Sequence, residues 1–222
     1  EILPDPKPEP KPDPEPTPNP EPETTPVTEV FADISENAWY IDSVQYVYDH
    51  GIMSGSNSLF NPEGNVTRAQ VVSTLYKLAG LPEVTDYRAC EEMVDIEAGQ
   101  WYTDAVCWAY SVGVANGNST TKKFNVSAPV TRQQLASFFY NFAEYKGLDT
   151  TTRGDYSDLA GADQVASYAV DTMQWAYGTG VITGSKVTDV TGATVYDLKP
   201  TGTATRAQLA AILQRFCEKY HI

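Results

Sequence analysis

The sequence predicts an all-α fold of three helix-loop-helix units, and three observations carry that expectation. The tetrapeptides Thr67-Arg68-Ala69-Gln70, Thr131-Arg132-Gln133-Gln134 and Thr205-Arg206-Ala207-Gln208 each open an apolar-periodic stretch. The three copies also align upstream of those tetrapeptides. Finally, apolar residues recur at three-and-four spacing on both sides of each loop, as in an amphipathic helix. Such self-similarity means one supersecondary unit used three times and implies a ligand met repeatedly.

Residues 1–30 precede the units and belong to a different physical class. They hold 11 of the 15 prolines, alternating from Pro4 to Pro22 with Asp, Glu, Lys, Thr and Asn. Such a segment has little apolar surface to bury and lacks about half of its backbone donors, so a disordered, extended linker is expected. At about 3.1 Å per residue it would span roughly 80 Å. A proline-motif ligand for another protein is the alternative, but the acidic alternation fits a spacer better.

The units are placed at 31–86, 87–150 and 151–222. Each opens with an apolar-x-Asp step: Phe31-Ala32-Asp33, Met93-Val94-Asp95 and Tyr156-Ser157-Asp158. An aromatic follows at Trp39, Trp101 and, at looser spacing, Tyr168, then an aspartate at Asp42, Asp104 and Asp171. The periodicity predicts a first helix over 39–50, 101–112 and 168–179. Gly51, Gly113 and Gly180 fall just past it, where a left-handed step ends a helix at least cost. A second glycine follows at Gly55, Gly117 and Gly184, and Phe60, Phe124 or Leu198 closes the loop.

The second helix begins at the tetrapeptide and carries Val71, Val72, Leu75 and Leu78 in unit one. Its counterparts are Leu135, Phe138, Phe139 and Phe142, then Leu209, Ile212, Leu213 and Phe216. Two short helices cannot bury both apolar faces alone, so the units must pack on one another. From Asp to Thr the copies span 34, 36 and 47 positions, so the third has absorbed insertions. Its stretch from Ser185 to Asp197 is expected to form a small hairpin over the adjoining groove.

Half of each tetrapeptide is structural. Thr followed three residues later by Gln is a capping box that satisfies orphan N–H groups at a helix start. The arginine is different, because the macrodipole disfavours a cation in the first turn by about 0.3–1 kcal/mol. Two readings of this threefold placement stand open. In one, the guanidinium reaches a neighbouring unit's carboxylate, at Asp33, Asp95 or Asp158, as a clamp. In the other, its planar fork and nearby free N–H groups recognise an external anion.

Taken together, Phe-x-Asp, a Trp about six residues on, the Gly-Ile/Val-x-x-Gly turn, the Phe-x-Pro-type loop and the Thr-Arg-Ala-Gln helix start resemble the S-layer homology module. The resemblance covers about residues 31–220 in three copies. It implies a pseudo-threefold assembly in which one helix of each module enters a central bundle and grooves open between neighbours. It further implies that the grooves bind pyruvylated secondary polysaccharide attached to peptidoglycan, anchoring an exported protein non-covalently at the cell surface of Gram-positive bacteria. By the same resemblance, Arg68, Arg132 and Arg206 would grip a pyruvyl carboxylate bidentately. Trp39 and Trp101, with Tyr168 in the third place, would lie against a sugar face. Asp33, Asp95 and Asp158 would orient the arginine or accept from sugar hydroxyls, and Gly55, Gly117 and Gly184 would let a glycan approach the backbone. Each has a structural alternative: core for the aromatics, caps for the aspartates, turn geometry for the glycines. In copy three Tyr168 replaces the tryptophan and the loop is longer, so its groove is expected to be degenerate or retuned, and the grooves of copies one and two to be the better sites. A self-assembly module of a surface lattice, without glycan recognition, is the alternative function.

Composition narrows the field. With 15 basic and 29 acidic residues the formal charge is -14, which argues against a nucleic-acid partner. An anionic glycan would be met through short-range arginine contacts, with the long-range repulsion screened by salt or divalent cations. No Met opens the chain and neither signal peptide nor membrane span is evident, so it is expected to be the C-terminal portion of a longer exported protein whose cargo precedes Glu1. Of three cysteines, Cys217 aligns with Ala79 and Ala143 and reads as a small buried residue; pairing of Cys90 with Cys107 is possible but not established by sequence. No Cys-x-x-Cys occurs and His50 and His221 form no ligand set, so no metal and no cofactor are expected. No nucleophile elbow, phosphate loop or acid pair marks an enzyme.

Overall fold

A computed structural model describes residues 24–188 and 190–222; most of the expected proline-rich linker, residues 1–23, lies outside them. The described chain is mostly helical, with α1 (Val27–Val30), α2 (Ile41–Asp49), α3 (Arg68–Leu78), α4 (Arg88–Glu91), α5 (Thr103–Ser111), α6 (Arg132–Tyr145), α7 (Val170–Gly178) and α8 (Arg206–Tyr220). The end of the segment expected to be extended is instead helical at α1. Val27 enters the core there, and Gln45 clasps the turn by accepting from Val27 N at 2.8 Å and donating to the Thr25 carbonyl at 3.1 Å.

The leading helices α2, α5 and α7 each stop at a glycine of positive φ, Gly51, Gly113 and Gly180. The trailing helices α3, α6 and α8 each start in a complete capping box, at Thr67/Gln70, Thr131/Gln134 and Thr205/Gln208. Packing then runs between units. α5 lies on α3, α7 on α6 and α2 on α8, so each leading helix covers the trailing helix of another unit. Phe139, Phe142, Trp175 and Phe216 are buried together where α6, α7 and α8 meet, with Phe139 and Phe216 edge to face at 5.2 Å.

A ring of main-chain hydrogen bonds joins the residues just ahead of the three caps. Val66 N donates to Ala204 O, Ala204 N to Val130 O and Val130 N to Val66 O, each at 2.9–3.0 Å. The first N–H groups of each trailing helix are also taken by another unit's loop. Arg68 and Ala69 donate to Ala128 and Val126, Arg132 and Gln133 to Gly202 and Pro200, and Arg206 and Ala207 to Gly64 and Pro62. The free amides expected beside the arginines are thus not free, because the neighbouring chain caps them.

The all-α expectation needs one correction. β1 (Ser185–Thr188) and β2 (Thr194–Asp197) form an antiparallel hairpin in register Ser185↔Asp197 to Thr188↔Thr194, the hairpin anticipated in copy three. A second correction concerns where copy three begins. In units one and two the residue before the aspartate donates to the loop, Ala32 N to Ser58 O and Val94 N to Lys122 O; in unit three that donor is Ala160, to Tyr196 O. Leu159 therefore corresponds to Phe31 and Met93, and Gly161 to Asp33 and Asp95. Asp158 lies three residues too early because Tyr156-Ser157-Asp158 mimics the pattern one helical turn upstream. Cys90 and Cys107 are disulfide-bonded with Cα atoms 5.2 Å apart, tying α4 to α5, while Cys217 is buried and free.

Candidate functional site: three clefts between units

Each motif arginine ties a loop in another unit. Its Nε donates to the carbonyl of the residue that closes the loop and its Nη2 to the residue before the second glycine. Arg68 reaches Phe124 O at 2.8 Å and Asn116 O at 2.7 Å; Arg132 reaches Leu198 O at 3.0 Å and Thr183 O at 2.6 Å; Arg206 reaches Phe60 O and Ser54 O at 2.7 Å each. These carbonyls explain how a cation is tolerated at the wrong end of a helix: two negative dipole ends face it. The carboxylate clamp is not what forms. Arg68 and Arg206 also lie 4.7 Å over the Phe124 and Phe60 rings, a favourable cation–π distance. Burial pulls all three guanidinium pKa values down, and for Arg132 the like charge of Arg215 adds to the effect.

The aspartates perform a different task. Asp33 accepts from Phe60 N at 2.8 Å and Asn61 N at 2.7 Å, and Asp95 from Phe124 N at 2.7 Å and Asn125 N at 2.6 Å. They latch each loop to the start of its own unit. Asp158 is exposed and has no such bond; Leu198 N goes to the Ala160 carbonyl instead. The second glycines are explained by the same junction. A Cβ on Gly55 would collide with the Phe31 ring and the Leu59 carbonyl, one on Gly117 with the Met93 thioether, and one on Gly184 would crowd Tyr196 and Leu159.

Three clefts open beside the arginines. The cleft at Arg132, about 470 Å³, is lined by Trp39 of unit one, Arg132 of unit two and Gly184 and Gln208 of unit three. The Arg68 cleft, about 270 Å³, includes Tyr168 and Gln134. The Arg206 cleft, about 400 Å³, includes Asp33, Gly55 and Gln70. The aromatic alternative of core burial is overturned, since Trp39, Trp101 and Tyr168 are 64, 66 and 61% exposed. Each stands two residues ahead of a leading helix. Trp101, Gly117, Asp95 and Asp158 line none of these clefts.

Two sets of residues escaped the sequence reading. The capping glutamines use Oε1 for the cap and leave their amide nitrogens without a partner among the described residues, inside the clefts. Nine residues after each arginine stands a donor, Lys77, Asn141 or Arg215, that bonds the carbonyl of Ile52, Val114 or Val181. Equal spacing in three copies was the available signal, hidden because the residue types differ. Among the described residues no group of His, Cys, Asp and Glu is arranged to hold a metal, and no helix is long and apolar enough to cross a membrane.

Residues 30–72 and 94–136 match the model of the S-layer homology domain. The chain carries that domain in these two stretches. Its sequence is 26% identical to an amylopullulanase of Thermoanaerobacterium thermosulfurigenes, over 86% of this chain and 10% of that protein. It is 27% identical to the exoglucanase XynX of Acetivibrio thermocellus, over 85% of this chain and 16% of the relative. To the S-layer protein sap of Bacillus anthracis it is 30% identical, over 57% and 15%. The chain thus spans at most about a sixth of these relatives. The third unit lies outside both matched stretches, yet α8 repeats the capping box and arginine geometry of the two matched S-layer homology domains.

Proposed function

We propose that this chain anchors an exported bacterial protein to the cell wall by holding a negatively charged wall polysaccharide, of the pyruvylated kind, in clefts between three S-layer homology units arranged with pseudo-threefold symmetry around α3, α6 and α8. The cell-surface location follows from the family and from relatives named S-layer protein and cell surface protein. The enzyme names among the relatives belong to proteins of which this chain covers a small part, and the S-layer homology domain is a non-catalytic anchoring domain.

One observation carries the reading: the Arg132 cleft gathers a guanidinium, an open aromatic face and an amide unpartnered among the described residues, from three different units. Trp39 rests against Tyr40 yet stays 64% exposed, and a flat apolar face beside polar donors suits a sugar ring. The ring of hydrogen bonds through Val66, Val130 and Ala204 supports the pseudo-threefold arrangement.

The decisive assay is co-sedimentation with purified bacterial sacculi, before and after hydrofluoric acid strips the wall polymer. Arginine variants are ambiguous, since each guanidinium also holds a loop. Trp39→Ala and Tyr168→Ala remove exposed rings and should leave helicity intact while lowering sedimentation severalfold. The lattice reading has one observation in its favour, the use of two guanidinium nitrogens on internal carbonyls. It expects binding indifferent to stripping and concentration-dependent oligomers, and that result would replace the anchoring reading.

A further inference from the structure

The three clefts differ most in charge. The Arg68 and Arg206 clefts have one cation each, and the second also includes Asp33. The Arg132 cleft is lined by Arg132, Lys186, Lys199 and Arg215 with no acidic residue, in a chain whose formal charge is -14. Asp197 and Glu218 act on Arg132 and Arg215 from outside the lining. None of the four cations has an ion pair among the described residues; those found are Arg88–Asp86 and Lys122–Glu92. Arg132 is buried, with Nε and Nη2 bonded and Nη1 without a partner among the described residues.

Fold alone does not account for these residues. Lys199 occupies the position of Asn61 and Asn125, directly after the loop-closing residue, and all three have positive φ, at 46, 58 and 62°. Asparagine tolerates that left-handed conformation and lysine does so poorly. Unit three therefore accepts backbone strain to place an ammonium where the other units have an amide. Arg215 occupies the position of Lys77 and Asn141, and Asn141 makes the equivalent bond to the loop carbonyl without a charge. Lys186 comes from the inserted hairpin, which units one and two do not carry. Three cations from three separate segments of unit three converge on one cleft.

We propose that the Arg132 cleft is specialised for a saccharide carrying two negative charges close together, a phosphomonoester or paired carboxylates, and that unit three is a retuned site instead of a degenerate one. This rests on the clefts being glycan sites and names the ligand class of one of them. Two guanidiniums supply planar forks for oxyanions, and two ammoniums on flexible stems supply compact charge at the rim. Like charges held together without an acid are stabilised by a ligand that brings both countercharges.

The test uses the full chain and two methyl galactosides: the 4,6-pyruvate ketal, with one carboxylate, and the 6-phosphate, with nearly two charges at pH 7.5. Titration calorimetry at low salt should show the phosphate binding at least about ten-fold tighter. Nitrogen-15 NMR shifts should fall on the side-chain signals of Arg132 and Arg215. The variant Lys186→Gln/Lys199→Asn/Arg215→Asn installs the asparagine of units one and two at 199 and that of unit two at 215, so it should fold with unchanged circular dichroism and lose the preference. Lys77→Asn, at the equivalent position of unit one and outside the Arg132 cleft, should keep it. Equal affinities, shifts confined to Arg68 or Arg206, a preference that survives the triple variant, or binding of neither glycoside would each overturn the proposal. Parallel sacculus sedimentation separates the two failures: sacculi bound without a dianion preference leaves anchoring standing and removes this inference. A preference without sacculus binding does the reverse.

Discussion

In unit one the loop that closes on Phe60 is held by a carboxylate, with both oxygens of Asp33 taking the amides of Phe60 and Asn61. In unit three the equivalent of the Phe60 amide goes to main chain: Ala160 donates to Tyr196 O and its own carbonyl accepts from Leu198 N, while the next amide, Lys199 N, donates to the carboxylate of Asp197 at 2.9 Å. The difference decides what each loop can carry. A side-chain latch fixes two consecutive amides and suits a short loop. A strand-like bridge continues naturally into β1 and β2, so unit three could absorb an insertion without losing the join, and the insertion reaches the Arg132 cleft.

The largest expected effect tests that contrast directly. Asp33→Ala and Asp95→Ala each leave two loop amides without acceptors, and removing charge-assisted bonds of this kind costs about 2–3 kcal/mol. Asp158→Ala should change stability by less than about 0.5 kcal/mol, as expected for a surface change. Urea unfolding of the three variants measures both. A loss at Asp158 equal to that at Asp33 would show that the sequence register of unit three was right and the structural one wrong.

Next in size are the second glycines, which grade the same junction by how far the obstructing group can yield. Gly55→Ala meets an aromatic ring and a backbone carbonyl, neither of which moves cheaply, and should lose about 2–3 kcal/mol. Gly117→Ala meets the flexible end of Met93 and should lose about 1 kcal/mol. Gly184→Ala, with its nearest neighbours at 3.1 and 3.3 Å, should lose the least. Equal losses at all three would mean that these glycines serve the backbone conformation and not the packing of Phe31, Met93 and Leu159. Thermal melts of the single variants separate the cases.

Much of this contrast could be read from residues alone, and the reason is periodicity. Helix spacing, glycine stops and Thr-x-x-Gln caps are local rules, so α2, α5 and α7 and the starts of α3, α6 and α8 fell close to where the sequence put them. The hairpin in unit three was likewise visible as a Thr, Val and Gly-rich excess. Partner choice was not legible, because it depends on the ring closing. Nothing near Arg206 in sequence points to Phe60 and Ser54, 146 and 152 residues away. The Asp158 register failed for a related reason: a Tyr-Ser-Asp triplet matched a pattern whose meaning, a latch on two distant amides, is tertiary. Lys199 was passed over because its significance is a backbone angle shared with Asn61 and Asn125.

The losses at the three caps should be the same in all three units, and their sum should not be simple. Thr67→Ala, Thr131→Ala and Thr205→Ala each remove one member of a complete capping box, worth about 1 kcal/mol. The remaining early amides stay bonded to another unit's loop, so no helix should unravel. But each threonine directly follows a member of the Val66, Val130 and Ala204 ring, and Thr67 and Thr131 bridge to Pro129 and Thr203. Loosening one cap therefore loosens a hydrogen bond that another unit's cap helps to align. The triple variant should lose more than the three singles together, by more than about 0.5 kcal/mol, the size expected of directly coupled sites. A sum that closes within that margin would mean three independently capped helices that happen to lie side by side, and the ring would be a consequence of packing and not a part of what holds the units together.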